Sequence, residues 1–437
     1  NHITRSIRPV NLARAKTQIF LDHFIMSSPV PTLSNFSLFK IFLRLGCTAF
    51  GGPAAHLVFF YQRFVQQLKW LDESQYAQIV ALAQLLPGPT SSQVGLAIGY
   101  LQKGYWGAVL AWLGFTLPSA LFMALVAVLG HQYLDVLSSN SFHSIQLIVL
   151  AVVAWAFWQM LRSFCKTVWQ YTLMLASAIF IYMVPLSFNQ IVVILIAACL
   201  GMWMAKRTTP TATLSSANTT ATDTHFTAAH LPQHRRYAAF WVVLFVAPFI
   251  VLSALNWLQP HLLYAANLSF YKAASLVFGG GHVILPLLHQ DFVSTGLVSK
   301  EQFDLGYAIA QLVPGPLFSF ATYLGSLIPM TESMLLNATL ATLAIFLPSF
   351  FLVFATLPYW SWLMQQAYIR HAVTGINAAV VGLLLYMVLE MAQRYILSIT
   401  DLLFIVLVIG LLKSKLPVWL SLIGSFLIYT AFMHFIA

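Results

Sequence analysis

Along most of this sequence, stretches of about 20 residues with few or no charged side chains follow one another, separated by short polar segments. An α-helix of that length and polarity can cross the hydrocarbon core of a bilayer. Hydrophobic residues make up 60% of the chain and charged residues only 7%, which is more apolar surface than a water-soluble core can bury. The apolar stretches lack the roughly ten-residue alternating segments of an outer-membrane barrel. The sequence therefore predicts an all-α integral membrane protein, a polytopic helical bundle.

The chain contains the same ordered set of motifs twice. The heptapeptide Ala83-Gln-Leu-Leu-Pro-Gly-Pro89 returns 227 residues later as Ala310-Gln-Leu-Val-Pro-Gly-Pro316. Three further pairs flank it in the same order: Phe50-Gly-Gly-Pro-Ala-Ala-His56 with Phe278-Gly-Gly-Gly-His282, Trp70-Leu-Asp-Glu-Ser-Gln-Tyr76 with Leu297-Val-Ser-Lys-Glu-Gln-Phe303, and Leu117-Pro-Ser119 with Leu347-Pro-Ser349. We infer an internal duplication.

The apolar pattern predicts six spans in each repeat and one unpaired span between them. Our boundaries are 36–60, 76–102, 105–130, 143–162, 168–185 and 189–205, then 238–256, then 263–288, 303–327, 335–357, 372–391, 395–412 and 416–436. Six spans return the chain to its starting side, and the seventh crosses once more. The two repeats are therefore predicted to be inverted. The sequence leaves open whether the interrupted spans cross the membrane or are re-entrant. One re-entrant span per repeat would change the number of crossings on which the predicted inversion depends.

These boundaries divide the chain into five parts. The first repeat covers 36–205, a linker covers 206–237, a connecting helix covers 238–256, and the second repeat covers 257–437. The linker is rich in Thr and Ser and poor in large apolar residues, so we expect a flexible cytoplasmic segment. Residues 1–35 lack the long apolar core of a cleaved secretory signal, and Met26 is the expected natural start of this N-terminal extension.

Basic side chains test the orientation, because Lys and Arg concentrate in cytoplasmic loops. With the N-terminus inside, fifteen of the 21 Lys and Arg residues lie in inner segments and three in outer ones. The outer residues are Arg63, Lys69 and Arg394, whereas Lys300 is among the inner ones. The remaining three fall within spans. This distribution indicates membrane orientation rather than nucleic-acid binding, despite a net charge of +10.

The repeated prolines and glycines fall where hydropathy predicts membrane-spanning helices. A proline inside a helix costs about 3 kcal/mol, and irregular backbone at membrane depth is tolerated only when it is buried in protein or lines a wet cavity. Inverted repeats with paired interrupted helices are typical of secondary transporters that bind their substrate near the midplane. The competing explanation is a simple kink or a tight packing contact, since Gly and Pro are common in membrane helices.

The residues after the first Pro-Gly-Pro predict an anion site. Thr90, Ser91 and Ser92 would open a new half-helix with free N–H groups, hydroxyls and the positive end of the helix dipole. The corresponding residues of the second repeat are Leu317, Phe318 and Ser319, so we expect an asymmetric site in which the first repeat supplies more hydrogen bonds. The paired glycine runs would allow close approach of backbone to a ligand.

Three cations and two histidines within apolar segments are further candidates. Arg44 and Lys272 each precede the phenylalanine of a Phe-Gly-Gly break by six residues and could face an anion, whereas Lys40 is better explained by snorkelling toward the membrane surface. His56 and His282 follow the glycine runs and are either core histidines or ligands of the substrate or a proton. The acidic residues at the starts of the interrupted helices are interpreted as helix caps: Asp72, Glu73, Glu301 and Asp304.

The repeated motifs together resemble the chromate ion transporter family in its long two-domain form. The carrying segments are Phe50-Gly-Gly-Pro-Ala-Ala-His56, Trp70-Leu-Asp-Glu73, Leu86-Pro-Gly-Pro-Thr-Ser-Ser-Gln-Val-Gly95, Gly114-Phe-Thr-Leu-Pro-Ser119, Phe278-Gly-Gly-Gly281, Gln311-Leu-Val-Pro-Gly-Pro316 and Gly375-Ile-Asn-Ala-Ala-Val-Val-Gly382. The resemblance covers nearly everything from about residue 36 to the end, apart from the linker. Leu317-Phe318 departs from it, because a small or polar residue is expected after the second Pro-Gly-Pro.

This resemblance implies export of chromate, a tetrahedral oxyanion similar to sulfate, across the bacterial inner membrane, and hence chromate resistance. Its motifs map onto Arg44, Gly51, Gly52, His56, Pro87, Gly88, Pro89, Gln93, Gly279, Gly280, Pro314, Gly315 and Pro316. The reasoning from the residues themselves adds Thr90, Ser91, Ser92, Lys272, Gly281 and His282 as substrate-binding candidates. We expect sulfate to compete, and the sequence leaves the oligomeric state open, a homo-oligomer included.

We expect a carrier rather than an enzyme, with no catalytic residue, metal or cofactor. The three cysteines lack CxxC spacing, and the chain contains neither an HExxH nor a G-x-S-x-G motif. A transporter of sulfate or another oxyanion, an intramembrane enzyme acting on a lipid phosphate, and a channel are the alternatives. The membrane potential alone could drive a dianion outward, although the sequence does not distinguish uniport from proton or anion exchange.

Overall fold

The protein is an all-α membrane protein, as the sequence predicts. The computed structural model describes residues 34–133, 139–184, 189–207, 237–414 and 416–436. No described residue lies in a β-strand. The N-terminal extension with Met26, apart from its last two residues, and nearly all of the predicted linker lie outside the described residues. Five described helices are long and apolar enough to cross a membrane: Thr90–Gly130, Ser141–Phe164, Ala238–Leu258, Met334–Tyr359 and Ala367–Tyr395.

Seventeen α-helices are described. The first repeat contains α1 (Asn35–Thr48), α2 (Gly52–Phe60), α3 (Glu73–Leu85), α4 (Thr90–Tyr133), α5 (Ser139–Phe164), α6 (Val168–Met183) and α7 (Asn189–Arg207). The connecting helix and the second repeat contain α8 (Ala238–Leu258), α9 (Leu262–Leu276), α10 (Ile284–Leu288), α11 (Lys300–Leu312), α12 (Phe320–Leu327), α13 (Met334–Thr356), α14 (Trp360–Gln365), α15 (Ala367–Tyr395), α16 (Ile399–Lys413) and α17 (Val418–Ile436). Lys103 and Gly104 are non-helical and divide α4 into two arms.

The first interrupted segment of each repeat folds back on itself. In the first repeat, the ring of Phe42 on α1 lies 5.0 Å from that of Phe64, which follows α2. In the second repeat, Phe270 on α9 lies 4.7 Å from Phe292, which follows α10. Two helices with such contacts run side by side in opposite directions. We call α1 with α2 hairpin A, and α9 with α10 hairpin C.

The Pro-Gly-Pro segments fold back in the same way. The Tyr323 hydroxyl of α12 donates to the Gln302 carbonyl of α11 at 3.0 Å, so both residues lie at one level. In the first repeat, α3 contacts the first arm of α4, and both lie beside hairpin A: the Tyr76 hydroxyl of α3 donates to the Leu57 carbonyl, and Gly95 on this arm lies against Phe60. We call α3 with this arm hairpin B, and α11 with α12 hairpin D. Both types of interrupted segment are therefore re-entrant hairpins, which answers the question that the sequence left open.

The hairpins change the side on which some loops lie. The Lys300 ammonium lies 4.3 Å from the centre of the Tyr395 ring, next to Arg394. The prediction that Lys300 and Arg394 lie on opposite sides is therefore wrong, because hairpin C returns the chain to the side from which it entered. The side on which every later helix begins is unaffected, because the two hairpins of each repeat replace two crossings.

Helices of the two repeats pack closely against one another. A Cβ atom added at Gly375 on α15 would lie 2.2 Å from the Ala197 carbonyl oxygen on α7. A Cβ atom added at Gly201 on α7 would lie 2.2 Å from the His371 carbonyl oxygen. Small residues permit such backbone contact between membrane helices, where van der Waals packing replaces the hydrophobic effect as the main attraction. The second repeat is thus held directly against the first.

The caps of α3 and α11 reproduce the duplication. Asp72 caps α3 in a capping box with Gln75, and Ser299 caps α11 in a capping box with Gln302. The interpretation of Asp304 as a cap is wrong, because Ser299 already occupies that position. Asp304 lies one turn further along, is 2% exposed and accepts a hydrogen bond from the Tyr395 hydroxyl.

Candidate functional site

The tips of the four hairpins are joined in pairs by backbone hydrogen bonds between the repeats. The Gly88 N–H of hairpin B donates to the Val277 carbonyl of hairpin C at 2.7 Å. The Gly315 N–H of hairpin D donates to the Ala49 carbonyl of hairpin A at 3.0 Å. Each bond links a Pro-Gly-Pro tip to the residue just before the Phe-Gly-Gly break of the other repeat. The two bonds join equivalent residues of the two repeats, as expected for a pair of inverted repeats.

Each Pro-Gly-Pro glycine also contacts a serine of the other repeat. Gly88 has φ +122°, and a Cβ atom added there would lie 2.6 Å from the Ser349 hydroxyl oxygen. Gly315 has φ +102°, and its Cβ atom would lie 3.0 Å from the Ser119 hydroxyl oxygen. Such φ values favour glycine, so a side chain at either position is strained by the backbone conformation, and at Gly88 it would also overlap its neighbours. The serines belong to the repeated Leu-Pro-Ser motif.

The first arm of α4 begins at the Pro-Gly-Pro tip with buried polar side chains. Ser91 and Ser92 are each 2% exposed and Gln93 is fully buried. The Gln93 amide donates to the Pro87 carbonyl at 2.6 Å. Among the described residues, neither the Ser92 hydroxyl nor the Gln93 side-chain oxygen has a hydrogen-bond partner. Together with the unpaired N–H groups of a first helical turn, these atoms can bind a polar ligand.

His56 connects hairpin A to this helix start. Its Nε2 lies 3.1 Å from the Ala49 carbonyl oxygen and its Nδ1 lies 3.3 Å from the Ser91 hydroxyl, with the side chain 1% exposed. A carbonyl can only accept, so Nε2 carries the proton and Nδ1 accepts from Ser91. Both ring nitrogens of His56 are thus satisfied within the protein, and Ala49 accepts bonds from His56 and from Gly315 of the other repeat.

The corresponding helix start of the second repeat is largely apolar. Leu317 and Phe318 are buried, and the Ser319 hydroxyl donates to the Pro316 carbonyl at 2.8 Å. No buried side-chain oxygen or nitrogen without a partner is found in this turn of the described chain. The hydrogen-bonding capacity at the centre therefore comes mainly from the first repeat.

The glycine run of hairpin C lies beside a polar side chain of α15. Gly279 and Gly280 have φ values of +76° and +154°. A Cβ atom at Gly279 would lie 3.0 Å from the Asn377 Oδ1 atom, which is buried and has no hydrogen-bond partner among the described residues. A Cβ atom at Gly281 would lie 3.6 Å from Pro53 of hairpin A. The breaks of both repeats therefore meet at one place.

Of the remaining candidates, Lys272 and Arg44 lie on the stems of hairpins C and A, whereas His282 directly follows Gly281 at the break of hairpin C. Lys272 forms an ion pair with Asp291, with the ammonium 2.8 Å from a carboxylate oxygen. Arg44 is exposed on α1 and forms no ion pair with any described residue. His282 Nδ1 lies 2.8 Å from the Tyr307 hydroxyl within the second repeat. Sequence reasoning therefore grouped Lys272 and Arg44 with residues that lie nearer the tips.

Sequence reasoning missed three polar residues at the centre. Ser119 and Ser349 lie in a tripeptide that we used only as a marker of the duplication, and Asn377 lies in a motif used only for the family resemblance. A polar residue in a repeated motif within an apolar segment was the available signal. Among the described residues, no group of three His, Cys, Asp or Glu side chains is arranged to hold a metal ion.

Replacing His56 by leucine tests its bridging role. We expect a loss of about 1–3 kcal/mol in stability, because Ser91 loses its buried acceptor and Ala49 loses one of its two donors. Thermal unfolding of the detergent-purified protein measures this change. An unchanged Tm would show that the bridge contributes nothing to the fold.

Comparison with known proteins places the chain among transporters. A family model described as chromate transporter matches residues 36–202 and 264–430. A chromate transport protein of Cupriavidus metallidurans is 28% identical over 394 residues, covering 88% of this chain and 90% of the relative. A chromate transport protein of Pseudomonas aeruginosa is 26% identical over 380 residues, covering 83% and 82%.

An uncharacterised transporter of Methanocaldococcus jannaschii is 26% identical over 401 residues, covering 90% of this chain and 94% of the relative. No solved structure matches the chain. The family model matches each half once, in agreement with the duplicated motifs and with the paired bonds at the hairpin tips. The chain belongs to the chromate transporter family.

Proposed function

We propose that this protein is a carrier that exports chromate from the bacterial cytoplasm across the inner membrane by alternating access. The observation that supports this best is the pair of backbone bonds, Gly88 to Val277 and Gly315 to Ala49, that joins the hairpin tips of both repeats. Four re-entrant hairpins meeting at their tips place helix ends inside the protein. Movement of one repeat against the other would open this centre to alternate sides.

The chemistry of the tips suits a tetrahedral oxyanion. The first turn of α4 offers backbone N–H groups and the positive end of a helix dipole, both of which favour negative charge. Ser92 adds a buried hydroxyl without a partner among the described residues, and Asn377 adds a buried amide. A carrier without a fixed cation at its centre can release its anion again, as transport requires.

Asn377 provides a direct test of this centre. We expect Asn377→Leu to raise the KM for chromate several-fold, because the anion loses the Asn377 amide, whose side chain must turn to present its N–H2 group in place of the Oδ1 atom that faces Gly279 here. The folded protein should lose little stability, since the buried Oδ1 atom has no partner among the described residues to lose. Uptake kinetics in vesicles, together with thermal unfolding, separate the two effects. A lower Tm with an unchanged KM would make Asn377 a structural residue only.

The distribution of basic residues supports an N-terminus in the cytoplasm. With hairpins in place of crossings, Arg63 and Lys69 move to the inner side and Lys300 moves to the outer side. The inner total of fifteen therefore becomes sixteen and the outer total of three becomes two, out of 21. The stronger asymmetry agrees better with the positive-inside rule than the sequence-based topology did.

The membrane potential is sufficient to drive the proposed export. Moving one elementary charge across 100 mV releases about 2.3 kcal/mol, so a dianion leaving a negative interior gains roughly twice that amount. No proton or counter-ion is needed to sustain a gradient of more than about a thousandfold. We therefore propose electrogenic export that confers chromate resistance.

The test is uptake of radiolabelled chromate into inside-out membrane vesicles with an imposed potential, positive inside. We expect saturable accumulation that collapses with the potential and is inhibited by sulfate at higher concentration. Linear, non-saturating entry would instead indicate a channel. Full inhibition by equimolar sulfate would favour a general oxyanion carrier, because backbone N–H groups discriminate poorly between similar tetrahedra. No accumulation above that in empty vesicles would refute export driven by the potential.

A further inference from the structure

The stems of hairpins A and C correspond residue by residue. Phe42 and Phe64 in hairpin A lie 228 positions before Phe270 and Phe292 in hairpin C, and both ring pairs are in contact. The backbone after each hairpin corresponds as well, because the Trp70 N–H donates to the Phe64 carbonyl at 2.8 Å and the Val298 N–H donates to the Phe292 carbonyl at 3.0 Å. Residues at equivalent positions of the two stems can therefore be compared.

The charges at these equivalent positions differ. In hairpin C, Lys272 and Asp291 neutralise each other in an ion pair. The positions 228 residues earlier in hairpin A are Arg44 and Arg63, two cations. Lys40, one turn before Arg44 on the same helix, corresponds to an apolar leucine at position 268. One stem thus carries three positive charges, whereas the other carries no net charge at these positions.

No described carboxylate neutralises the cations of hairpin A. Arg63 donates to the Gln67 side-chain oxygen at 2.9 Å, a neutral acceptor on the same helical segment. Arg44 is exposed and forms no ion pair with a described residue. Glu73, a carboxylate at the start of α3, accepts a hydrogen bond from Tyr61 at 2.5 Å. The positive charge of this stem is therefore available to an external anion.

The depth of Arg44 indicates what it faces. It lies nine residues into α1, or about 14 Å along the helix axis. An exposed, unpaired guanidinium at such a depth is costly against lipid, whereas a water-filled cavity tolerates it. The stem of hairpin A must therefore face water on the Arg44 side.

We propose that Arg44 and Arg63 form an anion-collecting site in a cytoplasmic vestibule, where they bind the oxyanion dianion before it reaches the hairpin tips. This inference rests on the proposed export of chromate and on a cytoplasmic N-terminus. Like charge along the vestibule raises the local anion concentration and the rate of capture. The neutral Lys272–Asp291 stem of hairpin C faces the opposite side and provides no such site, so the two repeats favour capture inside and release outside.

The test is Arg63→Glu, which places in hairpin A the cation–carboxylate pair that hairpin C contains. We expect the KM for chromate on the cytoplasmic face to rise about tenfold or more. We also expect its dependence on ionic strength between about 20 and 300 mM to flatten, since screening acts on the collecting charges. Arg63→Gln should fall between the two, and Arg63→Lys should retain most of the salt dependence.

Arg394→Glu is the matched charge reversal. Arg394 is exposed, pairs with Glu390 and lies near Lys300, on the side opposite to the proposed vestibule. The Arg394→Glu protein should have the KM and the salt dependence of the parent. Equal effects of Arg63→Glu and Arg394→Glu would overturn the proposal, because only the overall charge would then matter.

Equilibrium binding of labelled chromate to the purified proteins distinguishes failure of this inference from failure of the proposed function. If the parent binds and transports chromate and Arg63→Glu has the parent's affinity and salt dependence, the vestibule proposal is overturned and export stands. If the parent neither binds nor transports chromate, the proposed function fails, and the vestibule fails with it. Weaker, salt-independent binding by Arg63→Glu, with gel filtration unchanged from the parent, supports the proposal.

Discussion

Replacing Gly88 by alanine is expected to lower chromate transport by on the order of 100-fold while leaving a folded membrane protein. A loss of this size is what a displacement of about 1 Å causes where reacting or binding groups are tightly positioned. Gly88 has φ +122°, which an L-residue rarely adopts, and its added Cβ atom would meet Ser349 at 2.6 Å and Gln93 at 2.7 Å. The tip must then move, and the bond from Gly88 to Val277 that joins the repeats is lost. Vesicle uptake measures the loss of transport, and gel filtration of the purified variant shows whether the protein is still folded.

Gly130 provides the matched control, since it lies on α4 and no heavy atom comes within 4 Å of its added Cβ atom. Gly130→Ala should transport at the parent rate. Gly315→Ala, the equivalent change in the other repeat, should resemble Gly88→Ala, because Gly315 also has a positive φ and contacts Ser119. Near-parent transport by both Gly88→Ala and Gly315→Ala would exclude the joined tips from the transport mechanism.

Replacing Gly375 by leucine is expected to prevent stable folding. The backbone of this residue lies so near α7 that even a methyl group would be 2.2 Å from the Ala197 carbonyl oxygen. Backbone atoms cannot turn aside as a side chain can, so α15 and α7 must separate along their interface. We expect the free energy of unfolding to fall by about 3 kcal/mol or more, which is at or beyond the upper end of the range for substitutions that overpack a core. The yield of monodisperse protein and its Tm measure the effect.

Gly410 on α16 is the control for this substitution, because no heavy atom lies within 4 Å of its added Cβ atom. Gly410→Leu should purify with the yield and Tm of the parent. A Gly375→Leu protein that purifies as well as Gly410→Leu would contradict the close packing of the two repeats.

The helical class and the duplication could be predicted because apolar composition and repeated motifs are properties of the sequence itself. The course of the interrupted segments could not, since hydropathy alone does not distinguish a helix that crosses the bilayer from a hairpin of the same length that returns. Only contacts between distant positions, such as Tyr323 with Gln302, distinguish the two. The wrong side assigned to Lys300 follows from this one ambiguity.

At the candidate site, the glycines and prolines were recognisable because they impose unusual backbone conformations wherever they occur. Partners of side chains were not recognisable in this way. Asp291 neutralises Lys272 from across a hairpin, and Ser349 contacts Gly88 from the other half of the chain. Aspartate is a residue type that often caps helices, and only the burial of Asp304 against Tyr395 shows that it does not cap α11.

The central claim is that equivalent turns of both repeats line one oxyanion site, and chromate protection of cysteines tests it most directly. Ser92 and Ser319 lie 227 residues apart in equivalent helix starts and are both buried. Each would be replaced by cysteine in a variant in which Cys47, Cys165 and Cys199 are removed, and labelled with a thiol reagent in proteoliposomes. We expect chromate to protect both cysteines with the same half-saturating concentration. Protection of only one position, or of neither, would contradict a shared site.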